Sequence, residues 1–178
     1  RQMRRRAFLE IVLPAADVAG TVSSFGVGKD GVVAFAMATP TSPAEMYVTK
    51  ATGPIALTSL NRDLLGHKTI ADVAALVFKA RDGREIEAFL TKPGRLDTGG
   101  KHPMIVMIHG GPHGQQGPAF NHRAQAYASH GYAALMVNYR GSTGYGQAFS
   151  DAIARDQNGA EAQDVLSAVD AALAKYPW

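Results

Sequence analysis

An α/β chain with a β-rich first third is the fold class that three features of the sequence predict. Short apolar runs broken by Gly, Pro and Asp turns fill the first sixty residues, the pattern of successive strands. From Pro103 the pattern changes to strand, helix, strand, with the apolar runs Met104–Ile108 and Ala133–Val137 on either side of a helical stretch. A long amphipathic segment, Glu161–Tyr176, follows with apolar residues at three- and four-residue steps.

Composition bounds the class further. A chain of 178 residues holds one full domain or pieces of two, and its 46% hydrophobic and 19% charged residues are those of a soluble globular protein. No apolar run approaches the roughly 18 residues of a membrane span. The basic start is not followed by the apolar stretch of a signal peptide. With no cysteine, disulfides and thiolate chemistry are excluded, and the compartment stays open. The net charge of +3 is a local effect: Arg1, Arg4, Arg5 and Arg6 account for it, and the rest carries 14 basic against 15 acidic residues. No aromatic or glycine-rich partners accompany that cluster, so nucleic acid is not an expected partner.

In order along the chain, Ala7–Leu13 reads as a strand ended by Pro14. Thr21–Gly28 and Val32–Met37 flank a Lys29-Asp30-Gly31 turn. Pro40 and Pro43 act as breakers before a strand at Glu45–Thr49, and a Thr52-Gly53-Pro54 turn precedes a strand over Ile55–Leu60. Strands at this spacing suit a sandwich, a barrel or propeller blades. Residues 61 to 72 form a connector. Ala75–Ala80 and Glu85–Thr91 flank Asp82-Gly83, the strongest short hairpin signal. Next come the strand from Pro103, expected to be buried on both faces, a helix over Phe120–His130 stopped by Gly131, and a second buried strand over Tyr132–Tyr139. Together these make a βαβ unit. A glycine-rich loop, Arg140–Gly146, leads to a short helix over Phe149–Arg155 and to the amphipathic helix, whose predicted buried stripe is Val165, Val169, Leu173 and Tyr176 with Asp164 off it.

Chemistry concentrates at His109-Gly110-Gly111-Pro112-His113-Gly114, just past the carboxyl end of the strand from Pro103. Ligands of open α/β sheets bind at such strand ends. A His-Gly-Gly turn there can aim a backbone N–H at a carbonyl oxygen that becomes an oxyanion.

This turn, the stretch Asn138-Tyr139-Arg140-Gly141-Ser142-Thr143-Gly144-Tyr145-Gly146, and Asp164-Val165-Leu166 on a helix together resemble the prolyl oligopeptidase family of serine peptidases. The branch is that of acylaminoacyl-peptidases and dipeptidyl-peptidase-like enzymes. Thr41–Val48 and Leu57–Asn61 resemble that family's last propeller blade. The resemblance implies a β-propeller capping an α/β-hydrolase domain. Residues 1–68 would be the terminal blade with a connector, and 69–178 the N-terminal, incomplete part of the hydrolase domain. It implies an oxyanion hole donor at the Gly111 backbone N–H, with His109 and Gly110 shaping the turn. A peptide is the implied substrate, and no cofactor is implied.

The nucleophile of such an enzyme needs Gly-x-Ser-x-Gly. None of Ser23, Ser24, Ser42, Ser59, Ser129, Ser142, Ser150 or Ser167 has both flanking glycines, and Arg140 stands where Ser142 would need the first. The resemblance places the triad beyond Trp178, so residues 1–178 alone are expected to be inactive and to fold stably only beside the remaining C-terminal part. No metal is expected, because Gly110, Gly111 and Pro112 between His109 and His113 forbid the helix that a ligand pair at this spacing requires. The loop at Gly141–Gly146 has no Gly-Lys-Ser/Thr ending and so is no phosphate cradle. Arg140 is a candidate substrate or structural contact for a carboxylate. An esterase or lipase of the same fold and a non-catalytic module stay open as alternatives.

Overall fold

The computed structural model describes residues 20–50 and 52–178; the predicted strand at Ala7–Leu13 lies outside them. Two four-stranded sheets carry the fold. The first is an antiparallel meander of β1 (Thr21–Val27), β2 (Val33–Thr39), β3 (Ser42–Lys50) and β4 (Gly53–Ala56). Alternation along β2 puts Val33, Phe35 and Met37 on one buried face, where Phe35 stacks on Tyr47 at 5.6 Å. Two expectations fail here. Pro43 does not break the chain but lies inside β3, where Pro43 and Ala44 together oppose Ala38. A proline's missing N–H costs nothing at such a bulge. Gly53 and Pro54 likewise belong to β4, which ends at Ala56 rather than continuing to Leu60. Beyond Ala56 the buried Glu45 carboxylate takes over, accepting hydrogen bonds from the Thr58 hydroxyl and the Asn61 backbone. These bonds, Thr58 first, hold the Glu45 carboxyl below its ordinary value.

The connector contains one short turn of helix, α1 (Arg62–Leu65), and is tied to a helix that packs on the second sheet through Ala71, whose N–H and C=O both pair with the Gln125 carboxamide at 2.8 and 3.0 Å. That sheet runs in the order β5 (Val73–Lys79), β6 (Glu85–Thr91), β8 (Ala133–Asn138), β7 (Met104–Ile108). It is mixed: β5–β6 and β6–β8 are antiparallel and only β8–β7 is parallel. The β5–β6 hairpin turns at Arg81-Asp82, with Gly83 left-handed at φ +84°. The helix α2 (His122–Ser129) makes the crossover from β7 to β8. Asn121 caps it by accepting from the Ala124 N–H, and Gly131 at φ +86° ends it.

β8 is buried along its whole length, as its sequence predicts. β7 is not. It forms the rim of the sheet among the described residues, half-buried over Met104–Met107, with Ile108 63% exposed. An apolar run reports a strand's composition, not how many neighbours it has. Alternation along β8 divides the packing. Ala133, Leu135 and Val137 share one core with Ala168 and Ala172 of α4 (Ala160–Lys175), while Ala134 and Met136 point to the side where α2 buries Ala124 and Ala128. A short helix, α3 (Gln147–Asp151), buries Phe149 in the α4-side core.

The buried stripe of α4 is rotated from the predicted one. It consists of Asp164, Ser167, Ala168 and Ala172, with Val165 and Val169 half-buried and Leu173 58% exposed. Reading Asp164 as polar shifts the stripe by one position. In the fold Asp164 is fully buried because Arg140 neutralises it. The Arg140 guanidinium donates to both carboxylate oxygens (Nε to Oδ2 at 2.8 Å, Nη2 to Oδ1 at 2.7 Å), and the Arg140 N–H adds a third bond at 2.9 Å. Its Nη1 reaches Asp82 in the β5–β6 turn at 2.9 Å. This last contact holds the Asp82 carboxyl below its ordinary value.

Removing one partner of such a pair strands a buried charge, which costs about 3–5 kcal/mol. Arg140→Met, in the protein that carries this chain, is therefore expected to lower the unfolding free energy by that amount in a denaturant melt. The double substitution Arg140→Met/Asp164→Leu is expected to recover most of the loss. A single variant as stable as the parent would contradict the pairing.

Candidate active site

The His109–Gly114 turn and the Arg140–Gly146 loop lie side by side at the carboxyl ends of β7 and β8, joined by hydrogen bonds. His109 Nε2 meets Ser142 Oγ at 3.0 Å, His113 Nδ1 donates to the Gly141 carbonyl at 3.0 Å, and the Thr143 N–H donates to the Gly114 carbonyl at 2.9 Å. Asn138, the last residue of β8, clamps the chain just past the turn. Its fully buried carboxamide accepts from the Gln116 N–H at 2.7 Å and donates to the Gln116 carbonyl at 2.8 Å, as a neighbouring strand would. The same amide donates to the Tyr145 hydroxyl at 2.6 Å, and that hydroxyl donates to the Glu87 carboxylate. Burial, with the Glu87 charge beside it, pushes the Tyr145 phenol well above its ordinary value, so it stays protonated.

Gly111 sits at φ +54°, a left-handed conformation that suits glycine, and lines a cleft of about 480 Å³. Ile108, Pro112, Tyr139, Val165 and Leu166 supply its apolar walls, and Gln157, Asn158 and Glu161 a polar side. The segment before α4 is strained: Arg155 and Asn158, both non-glycine, hold φ of +63° and +67°. The carboxylate of Glu161 restrains it by accepting from the N–H groups of Asn158 and Gly159.

Each predicted site residue can now be placed. Gly111 faces the cleft, and Gly110 precedes it in the same turn. The ring of His109 stacks on Tyr139 with centroids 4.6 Å apart and is not part of the cleft wall. Arg140 lies beneath the loop, committed to Asp164 and Asp82, and does not enter the cleft. The His109–Ser142 contact pairs the residue types of a nucleophile and its base, but the proton runs the other way. The Ser142 hydroxyl, fully buried, spends its single proton on the Tyr139 carbonyl at 2.6 Å, so His109 must donate to it. His109 and His113 point to different partners, and among the described residues no group of three His, Cys, Asp or Glu could hold a metal ion. Sequence reasoning did not single out Asn138, Tyr145 or Glu87 as a network. Asn138 and Tyr145 stand in the stretch that carries the family resemblance, but nothing in the sequence links them to Glu87.

The sequence profile of the prolyl oligopeptidase family matches residues 118–178. A Bacillus subtilis protein described as uncharacterized peptidase YuxL is 33% identical over 158 residues, covering 88% of this chain and 24% of its own length. Dipeptidyl-peptidase 5 of Schizosaccharomyces pombe is 36% identical over 95 residues, covering 52% of this chain and 14% of its own. The Pyrococcus horikoshii acylaminoacyl peptidase structure superposes with a TM-score of 0.82 at 29% identity, over 91% of this chain and 26% of that one. The chain belongs to the prolyl oligopeptidase family. Within it, the similarity lies with the acylaminoacyl and dipeptidyl peptidases. A puromycin hydrolase at 22% identity shares the fold, with a TM-score of 0.73. The chain spans about a quarter of the length of the relatives that it matches over most of its own length.

Asn138 is the clamp whose loss the geometry makes measurable. Asn138→Ala leaves the N–H and carbonyl of Gln116 unpaired, at about 1–3 kcal/mol for each group left buried. The expected result is a destabilisation of that order in a urea melt and faster proteolytic cutting within residues 109–118. Unchanged stability and cutting would show that Asn138 does not hold the turn.

Proposed function

We propose that this chain is part of a serine peptidase that hydrolyses short peptides by acyl transfer, and that it supplies the Gly111 N–H as one oxyanion donor. The observation that carries the reading is Gly111 itself, left-handed at the end of a β-strand, lining an apolar-walled cleft. A donor fixed before reaction stabilises charge that develops on the scissile carbonyl oxygen without reorganising. The peptidase-named relatives support a peptide as the substrate. In this reading the first sheet, within 1–68, is the last blade of a propeller, and 69–178 begins the hydrolase domain. The serine, acid and histidine come from sequence outside residues 1–178, since no serine here has the flanking glycines of a nucleophile elbow.

A fluorophosphonate probe tests the assignment. In the protein that carries this chain it is expected to label one serine outside residues 1–178, and to leave the isolated 1–178 chain unlabelled. Labelling of Ser142 or any other serine in 1–178 would overturn the reading.

The donor has its own test. Proline lacks the N–H and fixes φ near −65°, so Gly111→Pro is expected to cut kcat by about 100-fold or more. Asparagine tolerates the left-handed region and keeps the N–H, and no atom stands within 4 Å of a Cβ at this position. Gly111→Asn is therefore expected to keep kcat within a few-fold. Equal losses in two well-folded variants would remove Gly111 as the donor.

A further inference from the structure

The Gly111 N–H belongs to the same planar peptide as the Gly110 carbonyl, so whatever holds that carbonyl aims the N–H in the opposite direction. The Gly110 oxygen lies 3.4 Å from Nδ1 of His109. Both press against Gly114, where an added Cβ would come within 2.9 Å of Nδ1 and 3.0 Å of the Gly110 oxygen. The imidazole itself is fixed on its remaining sides. It stacks on Tyr139 at an interplanar angle of 16°, Nε2 donates to Ser142, and the Tyr139 hydroxyl spends its proton on the His109 carbonyl at 2.6 Å, which leaves its oxygen, 3.5 Å from Nδ1, as a second and slightly more distant acceptor.

Proton accounting decides what Nδ1 can do. Since Nε2 carries a proton, a neutral His109 presents a bare lone pair from Nδ1 to the Gly110 oxygen, and two acceptors face each other. An imidazolium presents an N–H instead. We propose that His109 is a positioning residue for the Gly111 donor: its Nδ1, when protonated, hydrogen-bonds the Gly110 carbonyl and fixes the peptide that presents the Gly111 N–H to the cleft. The proposal rests on the reading of Gly111 as the oxyanion donor. A charge-assisted bond to the carbonyl also polarises the peptide and makes the N–H at its other end a stronger donor.

The groups around the ring are Tyr139 at the end of β8, Ser142 in the glycine loop and Gly114 in its own turn. Burial raises the Tyr139 phenol, with the Glu161 charge on α4 adding to the effect. His113 of the same turn is bonded to the Gly141 carbonyl. The Arg140 guanidinium, next along the chain from Tyr139, is tied to Asp164 and Asp82. The oxygens of Glu161 are themselves bonded to Asn158 and Gly159.

The test uses the protein that carries this chain and compares wild type, His109→Phe, Gly114→Ala and Gly111→Pro as kcat and KM against pH. His109→Phe keeps the stacked ring and loses both nitrogens. It is expected to lower kcat by about tenfold, less than loss of a whole donor, with KM unchanged. The ratio of wild-type to His109→Phe kcat cancels the titration of other catalytic groups, and it is expected to rise as pH falls. Gly114→Ala crowds Nδ1 and the Gly110 oxygen without touching the imidazole's chemistry, and is expected to lower kcat likewise. A ratio that stays flat with pH, or a well-folded Gly114→Ala variant with normal kcat, would overturn the proposal. Gly111→Pro separates the two readings. If it alone loses activity, the donor stands and the His109 role falls; if it also retains kcat, the donor assignment itself has failed.

Discussion

One guanidinium ties the end of a central strand to a hairpin turn and to the helix packed on the sheet. Arg140 leaves the end of β8, reaches Asp82 in the β5–β6 turn, and closes a two-pronged pair on Asp164 in α4. A charge as buried as Asp164 is tolerable only with its partner and its other lone pairs satisfied, and here the Arg140 N–H completes the set. The rotation of α4 about its axis follows, because Asp164 has to face β8. So does the position of Gly141 and Ser142, which begin one residue after the anchor and lie beneath His109. The ion pair thus acts at a distance from the cleft while fixing the surface on which the cleft's glycine turn rests.

The two sheets differ in what holds them. The second has cores on both faces, built from β8 and small residues on the helices: Ala124 and Ala128 on one side, Ala168 and Ala172 on the other. Alanines let the helix backbones approach the sheet closely, so the loops at the strand ends inherit little freedom. Among the described residues the apolar core of the first sheet is Val33, Phe35 and Met37 with the half-buried Tyr47, and β1 is exposed along its length. Its best-satisfied group is polar: the Glu45 carboxylate organises Thr58 and Asn61 where backbone pairing stops.

Much of this was legible in the sequence. Apolar runs and turn residues located β5, β6, β7, β8 and α2 to within a few residues, and the glycine turn after β7 announced itself. What failed did so for physical reasons. Hydrophobic periodicity counts a carboxylate as outward-facing, so it could not find the true face of α4, whose centre is an aspartate paired to a residue 24 positions earlier. Proline was read as a breaker, yet a bulge at Pro43 absorbs the missing donor. The exposure of β7 depends on how many strands flank it, which no local pattern encodes. The Asn138 clamp on Gln116 was illegible because an asparagine at a strand end has many uses. Only the fold brings it against a loop 22 residues away.

The rim of the second sheet has a geometric consequence. β7 presents one line of backbone donors and acceptors outward, and that line terminates at the turn that holds Gly111. A segment that paired there in parallel would leave the sheet beside the same turn, since parallel neighbours end on a common side. Extending the sheet and delivering a new side chain to the mouth of the cleft would then be one event, with β7 serving as the ruler that sets how far the incoming residue reaches.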